Sequence, residues 1–301
     1  MPSLLELTQQ GDVATVADES QLHRDTQLMS PQQLYELWER QPWSAYAIDL
    51  ERDRGDWATI TGDQRDEILW GLSSFFVGEE RVTTQFSALV MAYEDEQEEA
   101  FLTTQQVDEA RHMQFFDRYY RDVFEFAQDG ISGRLARVRE YVTDAFNVLF
   151  DDALVQAGER LIADPGDQAA KVEFITIYHL VIEGTLALTG QYFITDWFER
   201  NGLMPGFVEG FQKIARDEHR HDAYGTWYLQ RKAREPELAE RIQSTISELL
   251  PVAAGVLVPP GKSLGDDYTF MGYTSEEQNE FAFRSLTRRL KVIGLGLPAA
   301  A

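Results

Sequence analysis

Two nearly identical pentapeptides are the feature that most restricts how this chain of 301 residues can fold. Residues 108–112 read DEARH, and residues 217–221 read DEHRH. They differ only at the centre, where Ala110 stands opposite His219. A Glu and a His three residues apart leave the same face of a helix and can bind the same ligand. The two candidate pairs are Glu109 with His112 and Glu218 with His221.

Both pentapeptides lie on apolar stripes with helical spacing, and two further stripes each carry a single Glu. A helix that packs on a core shows apolar residues spaced alternately by three and four. Each of these four stripes has an acid, or an acid and a His, where Leu would be expected. The inward-facing candidates are Glu79, Glu109, His112, Glu183, Glu218 and His221. His219 and Glu80 fall off the stripes, as do Asp108 and Asp217.

Four carboxylates in an apolar core need compensation, because each unpaired buried ion costs on the order of several kcal/mol even after relaxation. Two divalent metals would supply four positive charges against the four Glu. A Glu from each of two helices and a Glu-x-x-His from each of two others is the arrangement of di-iron and di-manganese carboxylate bundles. Oxygen and imidazole ligands without thiolate favour Fe or Mn. The sequence therefore predicts a dinuclear metal site.

The Asp that opens each pentapeptide has two possible roles. A ligating His usually donates its other ring N–H to a carboxylate or carbonyl. Asp217 could therefore accept a hydrogen bond from His112, and Asp108 from His221, across the bundle. Alternatively, each Asp is solvated or forms a salt bridge with an Arg of the pentapeptides. The sequence leaves both roles open.

Composition excludes several classes of function. The net charge of −24, from 51 acidic against 27 basic residues, argues against nucleic acid, whose binding depends on Lys and Arg. The absence of Cys excludes disulfides and thiolate metal sites. The N-terminus has no pattern of a secretory signal, and the most apolar stretches are too short, or are interrupted by His179 and Glu183, to span a bilayer. We expect a cytoplasmic protein, and its acidic, Lys-poor surface suits a halophilic source.

The spacing of apolar residues predicts a single all-α domain over residues 1–301, with an irregular segment over about 1–30. Ser30 followed by Pro31 predicts the start of a short helix. Longer helical patterns cover about 63–93, 97–126, 140–163, 168–200, 206–234, 236–250 and 275–289. Residues 43–60 look irregular, and 130–133 make a break.

These residues resemble the ferritin-like superfamily of the ribonucleotide reductase small subunit. The resemblance extends from about Trp43 to the last helices, and it rests on the order and spacing of the six candidate ligands. It implies a ferritin-like helical bundle of the ribonucleotide reductase small-subunit type. Reductase subunits usually have a radical-forming Tyr four residues after the first ligand His, where this chain has Phe116, although some have Phe and use a Mn/Fe pair. They also need a C-terminal Tyr that relays the radical, whereas the last Tyr here is Tyr273.

A second branch, the R2-like ligand-binding oxidases, holds a Mn/Fe pair and a long-chain fatty acid. Its hallmark is an ether cross-link from a Tyr five residues before the third Glu to a Val three residues after the first. Tyr178 stands five residues before Glu183, and Val82 stands three residues after Glu79. The resemblance therefore implies a Tyr178–Val82 cross-link. Five residues exceed one helical turn, so this arrangement predicts a π-bulge in the helix.

The resemblance implies an oxidase that activates O2 for two-electron oxidation of C–H bonds. It implies that Glu79 and His112 hold the first metal (Mn), and that Glu183, Glu218 and His221 hold the second (Fe), with Glu109 bridging. An Fe/Fe pair is the alternative. It further implies a bound long-chain fatty acid and a homodimer, with Tyr178 and Val82 as the reacting residues. The other functions left open are a reductase small subunit and a non-catalytic iron-binding bundle.

Overall fold

The computed structural model of this protein describes residues 23–298, and the helices of that range form one bundle. They are α1 (Pro31–Glu39), α2 (Glu51–Thr59), α3 (Asp63–Met91), α4 (Glu96–Asp122), α5 (Gly130–Val138), α6 (144–163), α7 (Gln168–Asn201), α8 (Pro205–Lys232), α9 (Pro236–Val256) and α10 (Ser275–Ile293). A 3-10 turn, Arg139–Tyr141, follows α5. Two short antiparallel strands, β1 (Thr269–Phe270) and β2 (Tyr273–Thr274), precede α10. The predicted all-α fold is confirmed, and most of the segment predicted to be irregular lies outside the described residues.

Four long helices build the centre of the bundle. α3 packs along α4, and α8 packs against both α4 and α7. Each of the four contributes a buried apolar face, as their spacing predicted. The start of α1 is also as predicted, since Ser30 and Gln33 form a capping box before Pro31.

Two helices contain π-helical segments, Val148–Ala153 in α6 and Thr176–Ala187 in α7. The second confirms the predicted π-bulge. In a π-turn, residues five apart lie above one another, so Tyr178 and Glu183 face the same side. Gln105 Nε2 contacts both, at 3.3 Å from the Tyr178 hydroxyl and 3.5 Å from Glu183 Oε1.

α7, at Gln168–Asn201, agrees with the helical pattern predicted over about 168–200. Among residues 23–298 it is the one helix that meets the length and hydropathy of a membrane span, with a mean hydropathy of 1.3 in its most apolar window. From the sequence, this stretch is not expected to span a membrane, because His179 and Glu183 interrupt it. In addition, 83% of that window is buried inside the bundle, which accounts for its apolar composition.

Several predicted boundaries were wrong. α2 forms within 43–60, a segment predicted to be irregular, because tertiary contacts hold a helix of low amphipathicity. Trp57 in α2 packs on Phe124 with ring centroids 4.3 Å apart. The predicted break at 130–133 is the first turn of α5, and α9 continues through Pro251 to Val256.

Asp53 ties α2 to the core of the bundle. Its buried carboxylate accepts hydrogen bonds from the backbone N–H groups of Gly206 (2.8 Å) and Phe207 (2.7 Å) and from the Tyr119 hydroxyl (2.9 Å). Burial raises the pKa of Asp53. Met204, which precedes α8, provides no side-chain cap within the described structure. Asp53 therefore caps α8 from another helix.

Asp53→Ala should lower the free energy of unfolding by at least about 1–3 kcal/mol, since it leaves buried donors without an acceptor. The matched control is Glu51→Ala, which removes an exposed acid from the first turn of the same helix and should change stability little. Denaturant titration followed by circular dichroism measures both. An equal decrease in the free energy of unfolding in both variants would show that the decrease comes from a less stable α2 and not from the lost contact with α8.

Candidate metal centre

Six acidic and imidazole side chains meet between the four long helices. α3 carries Glu79, α4 carries Glu109 and His112, α7 carries Glu183, and α8 carries Glu218 and His221. Five of these residues are at most 6% exposed, and the Glu218 side chain is 12% exposed. Their oxygen and nitrogen atoms form two groups, and within each group the atoms lie within 4.8 Å of one another. The structure thus brings together all six candidate ligands.

The first group surrounds the His112 ring. Its Nδ1 lies 3.5 Å from Glu79 Oε2, 3.3 Å from Glu218 Oε1 and 3.7 Å from Glu109 Oε2. These four residues come from three helices, and each offers one atom that could coordinate an ion.

The second group surrounds the His221 ring. Its Nδ1 lies 3.0 Å from Glu109 Oε1, 3.2 Å from Glu183 Oε1 and 3.5 Å from Glu218 Oε2. Glu109 and Glu218 belong to both groups. The sequence interpretation placed Glu109 alone between the metals, and it could not see that Glu218 has its two oxygens divided in the same way.

Buried polar atoms at the centre fit a metal and not a self-contained hydrogen-bond network. His112 Nδ1, Glu183 Oε2 and Glu218 Oε2 have no hydrogen-bond partner in the described structure. Such groups are rare in folded proteins and indicate a missing partner. Carboxylate oxygens and imidazole nitrogens are donors that suit Fe and Mn. The residues present therefore fit a pair of these ions.

The electrostatics of the centre reflect its burial. Burial raises the pKa of Glu79 to about 8 and holds that of Glu183 well above its usual range. Burial acts in the same direction on Glu109, but His221 and His112 outweigh it and hold the Glu109 pKa well below its usual range. The surrounding carboxylates likewise overcome burial and raise the pKa of both imidazoles. Protons thus balance the charge of these groups, a role that divalent cations would take over.

Each imidazole is supported on its outer nitrogen by the Asp of the other pentapeptide. His112 Nε2 lies 3.3 Å from Asp217 Oδ2, and His221 Nε2 lies 3.3 Å from Asp108 Oδ2. Both Asp side chains are fully buried. The predicted pairing across the bundle is confirmed, and the alternative of a solvated Asp is wrong.

The salt bridges expected as an alternative coexist with this pairing. Arg220 Nη2 donates to Asp108 Oδ2 at 2.8 Å and to Asp217 Oδ1 at 2.6 Å, while Arg220 is only 1% exposed. Arg111 Nη1 also donates to Asp108, at 2.6 Å. Two guanidinium groups, one of them fully buried, therefore face the two carboxylates that hold the imidazoles.

Two Trp residues complete this outer layer, and the sequence did not identify them. Trp43 Nε1 donates to Asp217 Oδ2 at 2.6 Å, and Trp38 Nε1 donates to Asp108 Oδ1 at 2.9 Å. Both come from the N-terminal part of the described chain, 70 residues or more from their partners. The only signal in the sequence was two Trp residues in a short segment, and it gave no register against α4 and α8.

His219 lies outside both groups of candidate ligands, as its position off the stripe predicted. Its Nδ1 bonds to the carbonyl oxygen of Ala215 in its own helix. Phe116, at the position of the reductase radical Tyr, is fully buried and stacks on Phe75 with ring centroids 6.0 Å apart. A hydrocarbon ring therefore occupies that position.

Tyr178 and Val82 both lie at the edge of the centre. The fully buried Tyr178 hydroxyl donates to Glu109 Oε1 at 2.5 Å, which places it beside an acid that belongs to both groups. Burial, followed by the charge of Glu109, raises the Tyr178 pKa well above its usual value. Val82 is 6% exposed and lines the cavity that Glu79 and Glu109 also face.

This cavity runs between α3 and α7 and encloses about 850 Å³, including its opening. The acids that face it are Glu79, Glu109, Glu183 and Glu218. Apolar side chains form most of its remaining wall, among them Trp70, Phe75, Phe150, Ile182, Phe193 and Phe270. The site therefore has a carboxylate-rich end and a long hydrocarbon wall.

Comparison with solved structures gives the same architecture in R2-like ligand-binding oxidases. Two variants of such an oxidase, both with an anaerobically reconstituted Mn/Fe cofactor, match with TM-scores of 0.75 and 0.74 at 26% and 25% identity. The matches cover 88% and 89% of this chain and 93% and 94% of the respective oxidase chains. A third variant, with an aerobically reconstituted Mn/Fe cofactor, matches with a TM-score of 0.75 at 26% identity over 88% of this chain and 93% of its own.

The family model described as "Ribonucleotide reductase, small chain" matches residues 27–254, which include all six candidate ligands. That range is well over half of the 301 residues. The match agrees with the helical bundle and with the order of the Glu and His residues on its four long helices. This chain therefore belongs to the ribonucleotide reductase small chain family.

Proposed function

We propose that this protein is an O2-activating oxidase with a dinuclear Mn/Fe or Fe/Fe centre. Two groups of potential ligands in a buried core, with two Glu residues common to both, are the observation that carries the proposal. The six ligands are Glu79, Glu109, His112, Glu183, Glu218 and His221. A metal pair bound there supplies O2 activation and the power to oxidise a C–H bond by two electrons. The chemistry fits the Mn/Fe cofactor of the similar oxidases.

The residues on α3 and α7 and the two His residues each belong to one metal only. Glu79 and His112 hold the first metal, Mn, while Glu183 and His221 hold the second, Fe. Glu109 and Glu218 serve both, because each lies in both groups. The Asp at Nε2 of each His fixes the ring and keeps Nδ1 directed at the metals.

Tyr178 and Val82 are the residues that this centre oxidises. An ether bond forms between the Tyr178 oxygen and the tertiary Cβ of Val82, the O–H and C–H bonds break, and O2 takes up the two hydrogens with their two electrons. The hydroxyl of Tyr178 already donates to Glu109 Oε1, which can take the phenolic proton. Val82 lines the cavity that Glu109 also faces. Burial of both residues excludes water from the reacting bonds.

A long-chain fatty acid is the ligand of the cavity. Its carboxylate lies toward the metals, and its acyl chain follows the apolar wall between α3 and α7. The contrast between four acids at one end and aromatic and aliphatic side chains along the rest supports this orientation. The physiological substrate is a molecule of the same amphipathic type.

The protein acts as a cytoplasmic homodimer in a cell of high internal salt. The acidic, Lys-poor composition supports the salt environment, since screening reduces repulsion between its carboxylates. The family resemblance supports the dimer.

A reductase small subunit is the second candidate, and the family match favours it. Phe116 weighs against the tyrosyl-radical form of such a subunit, because its ring has no hydroxyl to oxidise. The cross-link separates the two functions, since a reductase subunit has no need of it.

Glu218→Ala or His221→Ala should lower the metal content sharply, because each removes a candidate ligand from at least one of the two groups. His219→Ala is the matched control: it removes an imidazole from the same turn of α8 whose Nδ1 bonds only to its own helix. Elemental analysis of protein purified without added metal gives the Mn and Fe content. A loss from His219→Ala as large as from His221→Ala would refute the assignment of ligands.

Protein reconstituted with Mn, Fe and O2 should be lighter by two hydrogens than anaerobically loaded protein, and its digest should contain one branched peptide that joins Val82 to Tyr178. Tyr178→Phe should abolish the branch without emptying the metal site, because Tyr178 is not a ligand. Val82→Ala should also abolish it, since a methyl is a far poorer hydrogen donor than a tertiary carbon. Intact-mass and peptide mass spectrometry measure both changes.

The matched comparison is metal content, which should stay at the wild-type level in both variants. An unmodified Tyr178 after aerobic turnover of the metal-loaded protein would overturn the oxidase proposal and leave the dinuclear site standing.

A further inference from the structure

A hairpin that the family match does not cover contributes Phe270 to the wall of the cavity. The match ends at residue 254, and the hairpin comprises β1, β2 and the turn between them. Phe270 of β1 lies edge-on against Trp70 of α3, with ring centroids 5.0 Å apart and planes at 81°. Phe270 is 5% exposed and Trp70 is 7% exposed, and both line the cavity. The two rings therefore form a wall with little access to solvent.

Gly71 makes room for this wall. A Cβ at Gly71 would lie 2.9 Å from the Phe270 ring and 3.4 Å from Ile194 of α7. A side chain there would push the Phe270 ring away, because 2.9 Å is shorter than van der Waals contact allows. The missing side chain lets the hairpin, α3 and α7 close around the same point.

This point is far from the acids along both walls. On α3, Gly71 precedes Glu79 by eight residues, or roughly 12 Å at 1.5 Å per residue. On α7, Ile194 follows Glu183 by eleven residues. Phe270 thus lies at the end of the cavity that an extended acyl chain would reach last if its carboxylate were at the metals.

The hairpin is held at both walls, so Phe270 is not free to withdraw. The backbone N–H of Met271 donates to Glu67 Oε2 of α3 at 3.0 Å. The Tyr273 hydroxyl donates to Asp196 of α7. Met271 and Gly272 have φ of 50° and 80°, as in a tight two-residue hairpin turn. The turn and β2 are therefore each held to one of the helices that line the cavity.

We propose that Phe270, backed by Trp70, determines the longest acyl chain that the cavity accepts. This inference rests on the proposed fatty-acid ligand and names the residue that selects among such ligands. A chain that fits ends against the ring, and a longer one must displace a ring that Trp70 and the anchored hairpin hold in place. Selection by length then comes from a fixed wall and needs no polar contact with the hydrocarbon.

Metal-loaded protein is incubated with an equimolar mixture of saturated straight-chain fatty acids of increasing length, separated by gel filtration, and its retained lipids are quantified by mass spectrometry. Wild-type protein should retain acids only up to a limiting length. Phe270→Ala should move that limit to longer chains, and Phe270→Leu should move it in the same direction by less. Phe270→Trp should move it to shorter chains.

The matched control is Phe281→Ala, which removes a buried ring from the same part of the chain that stacks on Tyr192 instead of facing the cavity. It should leave the limit unchanged. Metal content is measured in every variant, so that general unfolding is recognised.

The same limit in Phe270→Ala, Phe270→Leu and wild type would overturn the inference while leaving the proposed fatty-acid ligand intact. An equal shift in Phe281→Ala would also overturn it, because the limit would then follow general loosening. Protein with full metal content that retains no fatty acid would remove both the proposed ligand and the present inference.

Discussion

Neutralisation of four Glu carboxylates inside an apolar bundle is the requirement on which the rest of this structure depends. The four helices that carry them are otherwise lined with aliphatic and aromatic side chains, and isolated charges there would destabilise the fold. Without metals the balance is met by protons, as the raised pKa of Glu79 indicates. The unpartnered atoms of His112, Glu183 and Glu218 show that hydrogen bonds alone do not complete it. A metal pair would supply both the positive charge and partners for these atoms.

The six candidate ligands were readable from the sequence because their positions follow from local helical periodicity. A Glu at a Leu position is visible without knowledge of the partner helix, and a Glu-x-x-His needs only 3.6 residues per turn. The π-segment of α7 was predicted from the resemblance, which places both Tyr178 and Glu183 at the centre although an interval of five does not fit an α-helix. Their roles as ligands and reacting residues follow from chemistry and resemblance, and they remain predictions.

Contacts between distant segments could not be read in this way. The sequence offered Arg220 only as a possible salt-bridge partner of an Asp, and its burial between two Asp carboxylates could not be read from it. α2 was missed because its stability comes from Trp57 and Asp53, which contact other helices, and not from an apolar stripe. The hairpin was missed because two-residue strands carry no alternation. Each failure involves an element whose stabilising partners lie elsewhere in the chain.

The repeated pentapeptide has a structural explanation in the crossed support of the two imidazoles. Asp108 of the first copy holds His221 of the second, and Asp217 of the second holds His112 of the first. Each copy therefore supplies candidate ligands to the centre and holds the imidazole of the other copy. Both need Glu, His and Asp at the same offsets, because α4 and α8 face each other across the metals.

The central residue of each pentapeptide contributes neither a candidate ligand nor a support for an imidazole, so Ala110 and His219 can differ there. The fourth position is under a related but unequal constraint: Arg220 contacts both Asp residues and is 1% exposed, whereas the side chain of Arg111 is 18% exposed. The outer layer therefore pairs two carboxylates with two guanidinium groups, of which only Arg220 lies fully buried between them. The two copies therefore agree at the positions of Asp, Glu and His, whose roles are equivalent. At the position of Arg the residue is the same, but its burial differs between the copies.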